Sequence, residues 1–156
     1  MKRVFVALVV LIVVVFLGYY LLQVDVAQAP TSEKETAGET LNFDYSNSSA
    51  DIITVQLPFP GATVSHDFTV RGEARGPWYF EASFPIFLVD AEGNELAVGI
   101  AEAQGDWMTE EFVPFAAPML APKEYSGPAT LVLAKDNPSG LPEHDAYIAF
   151  PITISE

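Results

Sequence analysis

The chain has 156 residues, of which 21 are acidic and 7 are basic, so its formal net charge is −14 at pH 7. This balance excludes binding to nucleic acid through a basic surface, and it excludes adsorption of the folded part to anionic lipid. The chain has no cysteine, which excludes disulfides, a thiol nucleophile and a lipid-modified cysteine. Any folded domain must therefore be stabilised by burial of apolar side chains.

The first element of the chain is an uncharged apolar run from Val4 to Leu22, directly behind Lys2 and Arg3. As a helix, these roughly nineteen residues would reach about 28 Å, close to the hydrocarbon thickness of one bilayer. Basic residues beside such a run stay on the cytoplasmic side. We therefore predict that residues 1–24 are a single-pass signal-anchor helix in the cell membrane, with the N-terminus cytoplasmic and the remaining chain extracytoplasmic.

A cleaved secretory signal is the alternative interpretation of this segment. Ala27, Gln28 and Ala29 form the small-residue pattern of a signal-peptidase site. Pro30 would follow the cut bond, where its fixed φ fits an extended substrate poorly, and the apolar run exceeds the about 7–15 residues of a signal peptide. We prefer the uncleaved anchor over cleavage near Ala29, and both interpretations place the folded part outside the cytoplasm.

Residues 25–51 are rich in Thr, Ser, Glu, Ala, Asn and Gln and are predicted to be a flexible polar linker. Such a composition offers too little apolar surface to offset the entropy lost on ordering. Leu41, Phe43 and Tyr45 alternate with polar residues, and an extra strand at the edge of the following domain is the alternative for this part.

From residue 52 to residue 156, apolar residues alternate with other residues between turn signals, which predicts β-strands. The strongest strand is predicted over Trp78–Asp90, where Pro85 indicates an edge position or a bulge because proline cannot donate to a ladder. About six to eight such segments predict an all-β Greek-key sandwich rather than a barrel. The positions that define the strands are Ile53, Val55, Leu57, Val64, Phe68, Val70, Phe80, Ala82, Phe84, Ile86, Leu88, Leu96, Val98, Ile100, Phe112, Val113, Phe115, Ala129, Leu131, Leu133, Ile148, Phe150, Ile152 and Ile154.

Two turns carry oxygen ligands at spacings that also occur in calcium loops. In the first turn these residues are Asp90, Glu92, Asn94 and Glu95. The full calcium-loop pattern is missing, and a hairpin with Gly93 at positive φ explains the same residues, so calcium is the weaker interpretation and no cofactor or metal is predicted. Side-chain capping of a turn is likewise predicted for Asp136, Asn137 and Ser139.

No catalytic set of residues is identified, and we predict that the protein is not an enzyme. The two histidines, His66 and His144, stand in loop-like contexts and are predicted to be solvated. Glycoside hydrolysis needs two carboxylates that face each other about 5–8 Å apart, and an abundance of acidic residues does not provide that geometry.

A platform for a ligand is suggested by three aromatic residues and a methionine, which are Trp78, Tyr79, Trp107 and Met108. Trp78 and Trp107 are predicted to fill the ends of the core instead. Tyr79 is out of phase with the buried face and is predicted to be exposed, which makes it the better candidate for ligand contact.

The folded part of the chain contains a series of short motifs in a defined order. They are Pro58–Val64, Val70–Ala74, Trp78–Phe84, Leu88–Gly93, Asp106–Met108, Phe115, Gly127 and Lys135–Gly140. In this order they resemble the immunoglobulin-like domain of bacterial spore germination proteins, the second of two domain types grouped as Gmad, over residues 52–154. The resemblance implies an extracytoplasmic immunoglobulin-like β-sandwich over residues 52–156 that serves in binding or assembly, with no catalytic residue to carry over. Family members often have a sporulation or germination domain beside this one, whereas here an anchor and a linker precede it.

The predicted function is therefore that of a non-catalytic, membrane-tethered, extracytoplasmic binding or assembly module of the bacterial envelope. Besides the membrane, its predicted partner is an envelope protein or a cell-wall component, contacted through an exposed sheet edge or a loop cluster. A sporulation or germination accessory protein is the alternative that the resemblance suggests, and an envelope hydrolase is a weaker one.

Overall fold

The computed structural model describes residues 42–156, and the predicted membrane anchor and most of the predicted linker lie outside this range. Within it, no helix has the length and apolar character needed to span a bilayer. The described residues are all-β, as predicted. The strands are β1 (Asp44–Ser46), β2 (Ile53–Leu57), β3 (Thr63–Val64), β4 (Asp67–Arg75), β5 (Ser83–Asp90), β6 (Glu95–Ala103), β7 (Phe112–Leu120), β8 (Gly127–Ala134) and β9 (Tyr147–Ile154), with 3₁₀ turns at Gly76–Trp78 and Pro142–His144.

The strands form one curled sheet in the order β1–β9–β8–β5–β6–β7–β4–β2, with β3 also paired to β9. Every ladder along this path is antiparallel, and the β3–β9 pair is parallel. The ladder between β6 and β7 is short, because only Glu102 and Ala103 of β6 form ladder pairs with β7. We call β2, β4 and β7 the β4 sheet, and β5, β6, β8 and β9 the β5 sheet. This arrangement is consistent with an immunoglobulin-like sandwich.

A single apolar core lies between the inner faces of the two sheets. The Phe84 ring lies at its centre, with its centroid 4.9 Å from that of Phe115, 5.3 Å from Tyr79 and 6.3 Å from Trp78, in edge-to-face geometry. Each such pair adds about 0.5–1.5 kcal/mol to the stabilisation from burial. The largest fully buried side chains are Trp78, Phe84, Phe115, Phe150, Ile53, Ile86, Leu88, Met119, Leu131, Leu133, Ile148 and Ile152.

Strand β5 begins later than the alternation predicts. Pro77 lies in the 3₁₀ turn Gly76–Trp78, for which its fixed φ is suited, and Glu81 and Ala82 have positive φ values of 52° and 66°. Phe80 therefore leaves the predicted buried face and is 43% exposed. The predicted strand over Trp78–Asp90 is wrong for its first five residues and correct from Ser83.

Pro85 lies in a part of β5 that has a ladder partner on one side. It pairs with Ile100 of β6, whereas the ladder to β8 begins at Ile86. This agrees with the predicted edge position, because proline has no N–H to donate. The irregularity in the β5–β6 ladder falls between Leu88 and Val89 instead.

Strand β1 lies within residues 25–51, the range predicted to be linker. Tyr45 pairs with Ile148 of β9, and the Phe43 ring packs on Phe150 with a centroid distance of 5.1 Å. The alternative of an added edge strand is confirmed here, and the folded domain begins before residue 52. The two aromatic residues give this strand an apolar side that can pack on the core.

Strand β2 contains a bulge between Val55 and Leu57. The extra residue reverses the alternation, so Leu57 pairs with Arg71 on the outer face of the β4 sheet and is exposed. The predicted strand is confirmed, but only Ile53 and Val55 of its apolar set reach the core.

Candidate functional site

Four chain segments meet at one end of the sandwich, which we call the loop end. They are the β1–β2 turn, the β4–β5 connection, the β6–β7 loop and the β8–β9 loop. The Asp136 N–H donates to the Trp78 carbonyl over 3.2 Å, and Asn47 Nδ2 donates to the Asp145 carbonyl over 2.9 Å. A Cβ on Gly76 would lie only 1.9 Å from a backbone oxygen of the β6–β7 loop. Loops fixed by a rigid scaffold in this way are common carriers of binding residues.

A cleft of about 270 Å³ opens at the loop end. Sites for whole small molecules have volumes of about 300–1,000 Å³. The cleft is therefore suited to an anchoring group of a larger partner. Its lining consists of Asn47, Ile52, Pro77, Trp78, Lys135, Glu143, His144, Asp145 and Ala146.

Trp78 is the largest side chain of the lining and is 1% exposed. Its indole N–H is buried and has no hydrogen-bond partner among the described residues. Leaving a donor buried and unpaired costs about 1–3 kcal/mol.

The cleft carries charged groups of both signs. Lys135 directly follows β8, and its backbone N–H donates to the β8–β9 loop over 2.8 Å. Glu143 and His144 lie in the 3₁₀ turn of that loop, and the Asp145 carboxylate accepts from Asn137 Nδ2 over 2.7 Å. The Lys135 ammonium and the Glu143 and Asp145 carboxylates of this lining suit a group that presents both acceptors and donors, as peptides and amino sugars do.

The turn that leads into the cleft is capped by side chains, as predicted for Asn137 and Ser139. Asn137 Nδ2 also donates to the Leu141 carbonyl over 2.9 Å, and Ser139 Oγ donates to Asn137 Oδ1 over 2.5 Å. Ser139 Oγ in turn accepts from the Leu141 N–H over 3.2 Å. These bonds fix the loop backbone in front of the cleft.

The β5–β6 hairpin lies at the other end of β5, away from the cleft. Both oxygens of Asp90 are used within the turn: Oδ1 accepts from the Glu92 and Asn94 N–H groups over 3.0 and 2.7 Å, and Oδ2 accepts from Asn94 Nδ2 over 2.8 Å. The bonds from Asn94 hold the pKa of Asp90 below its usual value. The structure therefore supports the predicted hairpin turn as the role of these residues.

The prediction that Tyr79 is exposed is wrong. Its side chain is 4% exposed, and its hydroxyl donates to the Val113 carbonyl over 2.7 Å. Trp78 is buried and Trp107 packs partly buried against the core, as predicted, while Met108 is 77% exposed. Tyr79 directly follows the 3₁₀ turn Gly76–Trp78 and lies before β5, which begins at Ser83. Because Glu81 and Ala82 have positive φ values, the alternation of β5 does not extend back to Tyr79.

The two histidines differ. His66 is partly buried, with Nε2 2.9 Å from the Tyr125 carbonyl oxygen, so the prediction that it is solvated is wrong. His144 is exposed in the cleft lining, in agreement with the prediction. Across residues 42–156, no group of three or more His, Cys, Asp or Glu side chains is arranged to hold a metal ion.

The sequence interpretation missed the cleft as a unit. Asn47, Lys135 and Asp145 were not predicted to lie together, because they are far apart in the chain and each is an ordinary surface residue on its own. The signal that could have indicated them is the tryptophan directly after Gly76 and Pro77, since a large side chain behind a tight turn marks the place where loops pack together.

The family model of the immunoglobulin-like domain of bacterial spore germination matches residues 52–141. The match extends from β2 into the β8–β9 loop, so it includes Trp78 and Lys135 and ends before His144. No curated protein and no solved structure matches the chain.

Proposed function

Since the chain belongs to the family of the immunoglobulin-like domain of bacterial spore germination, we propose that it is a non-catalytic, membrane-tethered binding module of the bacterial envelope. Residues 1–24 anchor it, the domain stands outside the cytoplasm, and the cleft at the loop end contacts an envelope protein or a cell-wall component. The observation that supports this proposal is the cleft, which three separate chain segments line with charged groups of both signs beside the Trp78 side chain.

The size and chemistry of the cleft support a polymeric partner. Its volume is below that of sites for whole small molecules, and its charged groups suit a peptide or amino-sugar unit that is part of a longer chain. The strongly acidic composition favours a partner contact through specific groups over general attraction to anionic polymers.

A matched pair of lysine variants tests this assignment. Lys135→Glu reverses the charge in the cleft, whereas Lys123→Glu makes the same change at an exposed site in the β7–β8 loop. Tagged full-length protein would be cross-linked in cells and captured from solubilised envelopes. We expect wild type and Lys123→Glu to enrich the same partner and Lys135→Glu to lose it. Equal capture by both variants would contradict a role for the cleft.

The tether is tested by the intact mass of the protein in the membrane fraction. An anchored chain retains residues 1–29, and a protease added to spheroplasts digests the domain from outside. A mass that corresponds to a chain beginning at Pro30 would indicate a cleaved signal peptide and contradict the anchor. Protection from external protease would contradict the extracytoplasmic location.

A germination or sporulation accessory protein is the second candidate function, and the family match favours it. Deletion of the gene in a spore-forming host should then slow germination or reduce spore yield. Normal spores that germinate at the wild-type rate would exclude this second candidate function and would not contradict the proposed binding module of the envelope.

A further inference from the structure

Strand β1 is attached to the rest of the domain by few contacts. Within residues 42–156, its three residues pair only with Tyr147–Ala149 of β9, whereas the β8–β9 ladder has eight residue pairs. The rings of Phe43 and Tyr45 pack against the core but are only partly buried, and Asp44 between them is exposed. An edge element with so few buried apolar contacts opens at a lower free energy than the whole domain.

The turn after β1 contributes one favourable contact and one unfavourable one. Asn47 Nδ2 donates to the Asp145 carbonyl over 2.9 Å at an exposed position. Ser48 Oγ is buried and has no hydrogen-bond partner in the part of the chain that the structure describes, and a buried, unpaired hydroxyl costs free energy. Release of β1 returns this hydroxyl to water. The turn therefore contributes little to holding β1 on β9.

The remainder of the β1–β2 turn is fixed to β4 and does not depend on β1. The Arg75 N–H donates to the Ile52 carbonyl over 2.9 Å, and Arg75 Nε donates to the Asp51 carbonyl over 2.6 Å. Ile53, the first residue of β2, is fully buried. Residues 43–49 can therefore leave the domain while Asp51, Ile52 and β2 keep their places.

Strand β1 also closes one side of the cleft. Its last residue, Ser46, pairs with Tyr147 at the start of β9. In the same antiparallel register, the next pair along the chain is Asn47 with Ala146. Both of these residues line the cleft, and Ala146 is only 7% exposed. Release of β1 withdraws Asn47 from the lining and uncovers Ala146.

The position of β1 in the chain gives its release a consequence for binding. It is the first described strand after residues 1–41, which contain the predicted anchor, and it lies before the family match, which begins at residue 52. We propose that residues 43–47, which we call the strap, detach from β9 as a unit and open the Asn47 side of the cleft. This inference rests on the proposed function, in which the cleft is the contact site. Because a partner that contacts Asn47 stabilises the docked strap, tension on the chain from the anchor lowers the affinity of the cleft for that partner.

Single cysteines test the strap without any partner, because the chain has no native cysteine. Ala146→Cys places a thiol in the cleft wall that the strap covers, and Ala101→Cys places one on β6, where Ala101 is fully buried in the core. Each full-length variant in detergent micelles would be treated with N-ethylmaleimide at urea concentrations below the unfolding transition. Mass spectrometry gives the rate of modification, and near-ultraviolet circular dichroism shows that each variant is folded.

We expect the Ala146→Cys variant to react at least about tenfold faster than the Ala101→Cys variant. Its rate should depend little on urea, since release of the strap exposes little surface, whereas the rate for Ala101→Cys should rise steeply. Equal rates with the same urea dependence would overturn the proposal, because the strap would then open only when the whole domain unfolds.

A matched pair of phenylalanine variants shows whether the strap covers the cleft wall. Phe43→Ala removes the ring that packs on Phe150 at a centroid distance of 5.1 Å, and Phe59→Ala removes a ring that is 62% exposed between β2 and β3. In the Ala146→Cys background, Phe43→Ala should raise the rate of modification about tenfold, and Phe59→Ala should leave it unchanged. An unchanged rate with Phe43→Ala would refute the strap.

Hydrogen exchange of chains without any cysteine gives a second measurement. The protected amides of residues 43–46 should exchange faster in Phe43→Ala than in wild type, and Phe59→Ala should match wild type. If these amides exchanged in wild type as slowly as those of Leu131–Leu133, β1 would be a fixed strand and the proposal would fail. Neither measurement involves a partner, whereas capture with Lys135→Glu does, so failure of the strap and failure of the proposed function are distinguishable.

Discussion

The β4 sheet and the β5 sheet bury similar apolar inner faces but present opposite chemistry to solvent. Strand β4 turns Asp67, Arg71, Glu73 and Arg75 outward, whereas the outward residues at the centre of the β5 sheet carry no charge. The inner faces therefore determine the fold, and the two outer faces differ in the groups that they present to solvent.

Arg75, the last residue of β4, makes its polar contacts within the domain. Arg75 Nε donates to the Asp51 carbonyl over 2.6 Å, and its guanidinium donates to the Glu110 carbonyl over 2.8 Å. The same guanidinium lies 4.5 Å from the centroid of the Phe112 ring, a favourable cation–π geometry. These contacts fix the Arg75 side chain against the rest of the domain.

The largest predicted effect compares the two sides of β5. Phe84→Ala removes a fully buried ring that contacts Trp78, Tyr79 and Phe115, and should lower the free energy of unfolding by about 3–5 kcal/mol. Phe87→Ala removes a half-buried ring from the outer face of the β5 sheet and should cost about 1 kcal/mol. Urea unfolding followed by tryptophan fluorescence measures both. Equal losses would show that the outer side of β5 is packed as tightly as its inner side.

A smaller effect is expected at the inner face of the β4 sheet. A Cβ on Gly72 would lie 2.1 Å from the Thr54 carbonyl oxygen and 2.7 Å from the Phe115 ring. Gly72→Ala should therefore destabilise by about 1–3 kcal/mol through overpacking. Gly105→Ala is the control, because a Cβ there meets only Val113 at 3.8 Å, and it should leave the unfolding midpoint unchanged. A stable Gly72→Ala protein would contradict the close packing of β2 on β4.

Period-two alternation in the sequence divides the residues of a strand into two sides, but it does not tell which of the two sides faces the core. In β6 the small residues Ala97, Gly99 and Ala101 face inward, and Val98 and Ile100 face outward. The reason lies on the other sheet, because a Cβ on Gly99 would be 2.2 Å from Met119 Sδ. The size allowed at each inner position is set by residues distant in sequence, and period-two alternation carries no information about them.

The cleft was unpredictable for a related reason. Its groups come from the β1–β2 turn, the β4–β5 connection and the β8–β9 loop, and a hydrogen bond joins Asn47 to Asp145 across 98 residues of sequence. The local turns were predicted where side chains cap them, as at Asn137 and Ser139. The positive φ values of Glu81 and Ala82 were missed, because neither is a residue type that usually adopts them.

A moderate effect tests how the two sheets are joined at the loop end. The Tyr79 hydroxyl, on the β4–β5 connection, donates to Val113 of β7, and burial raises its pKa to about 12. Tyr79→Phe should cost about 0.5–1.5 kcal/mol at neutral pH, the usual value of such a bond. Because the unfolded state loses this proton near pH 10 and the folded state later, wild-type stability falls as pH rises from about 10 to about 12.

Stability curves of wild type and Tyr79→Phe between pH 8 and pH 12 check this prediction. The variant should show a shallower loss above pH 10, since it has no phenol to ionise at this site. Tyr147→Phe is the matched control, because that residue lies on the outer face of the β5 sheet and should retain the wild-type slope. Parallel curves for wild type and Tyr79→Phe would contradict the buried hydroxyl.

The smallest predicted effect concerns the hairpin that joins β5 to β6. Asp90→Ala removes the acceptor of the Asn94 and Glu92 bonds and should lower the unfolding midpoint slightly, whereas Glu92→Ala on the same turn should not. Because hydrogen bonds from Asn94 lower the pKa of Asp90, its contribution is present above about pH 4, the unfolded value, and is lost as pH falls through the lowered pKa. Wild type and Asp90→Ala should therefore converge in stability on acidification. If they differ equally at pH 7 and well below pH 4, the carboxylate does not stabilise the turn, and the hairpin is positioned by the β5–β6 ladder alone.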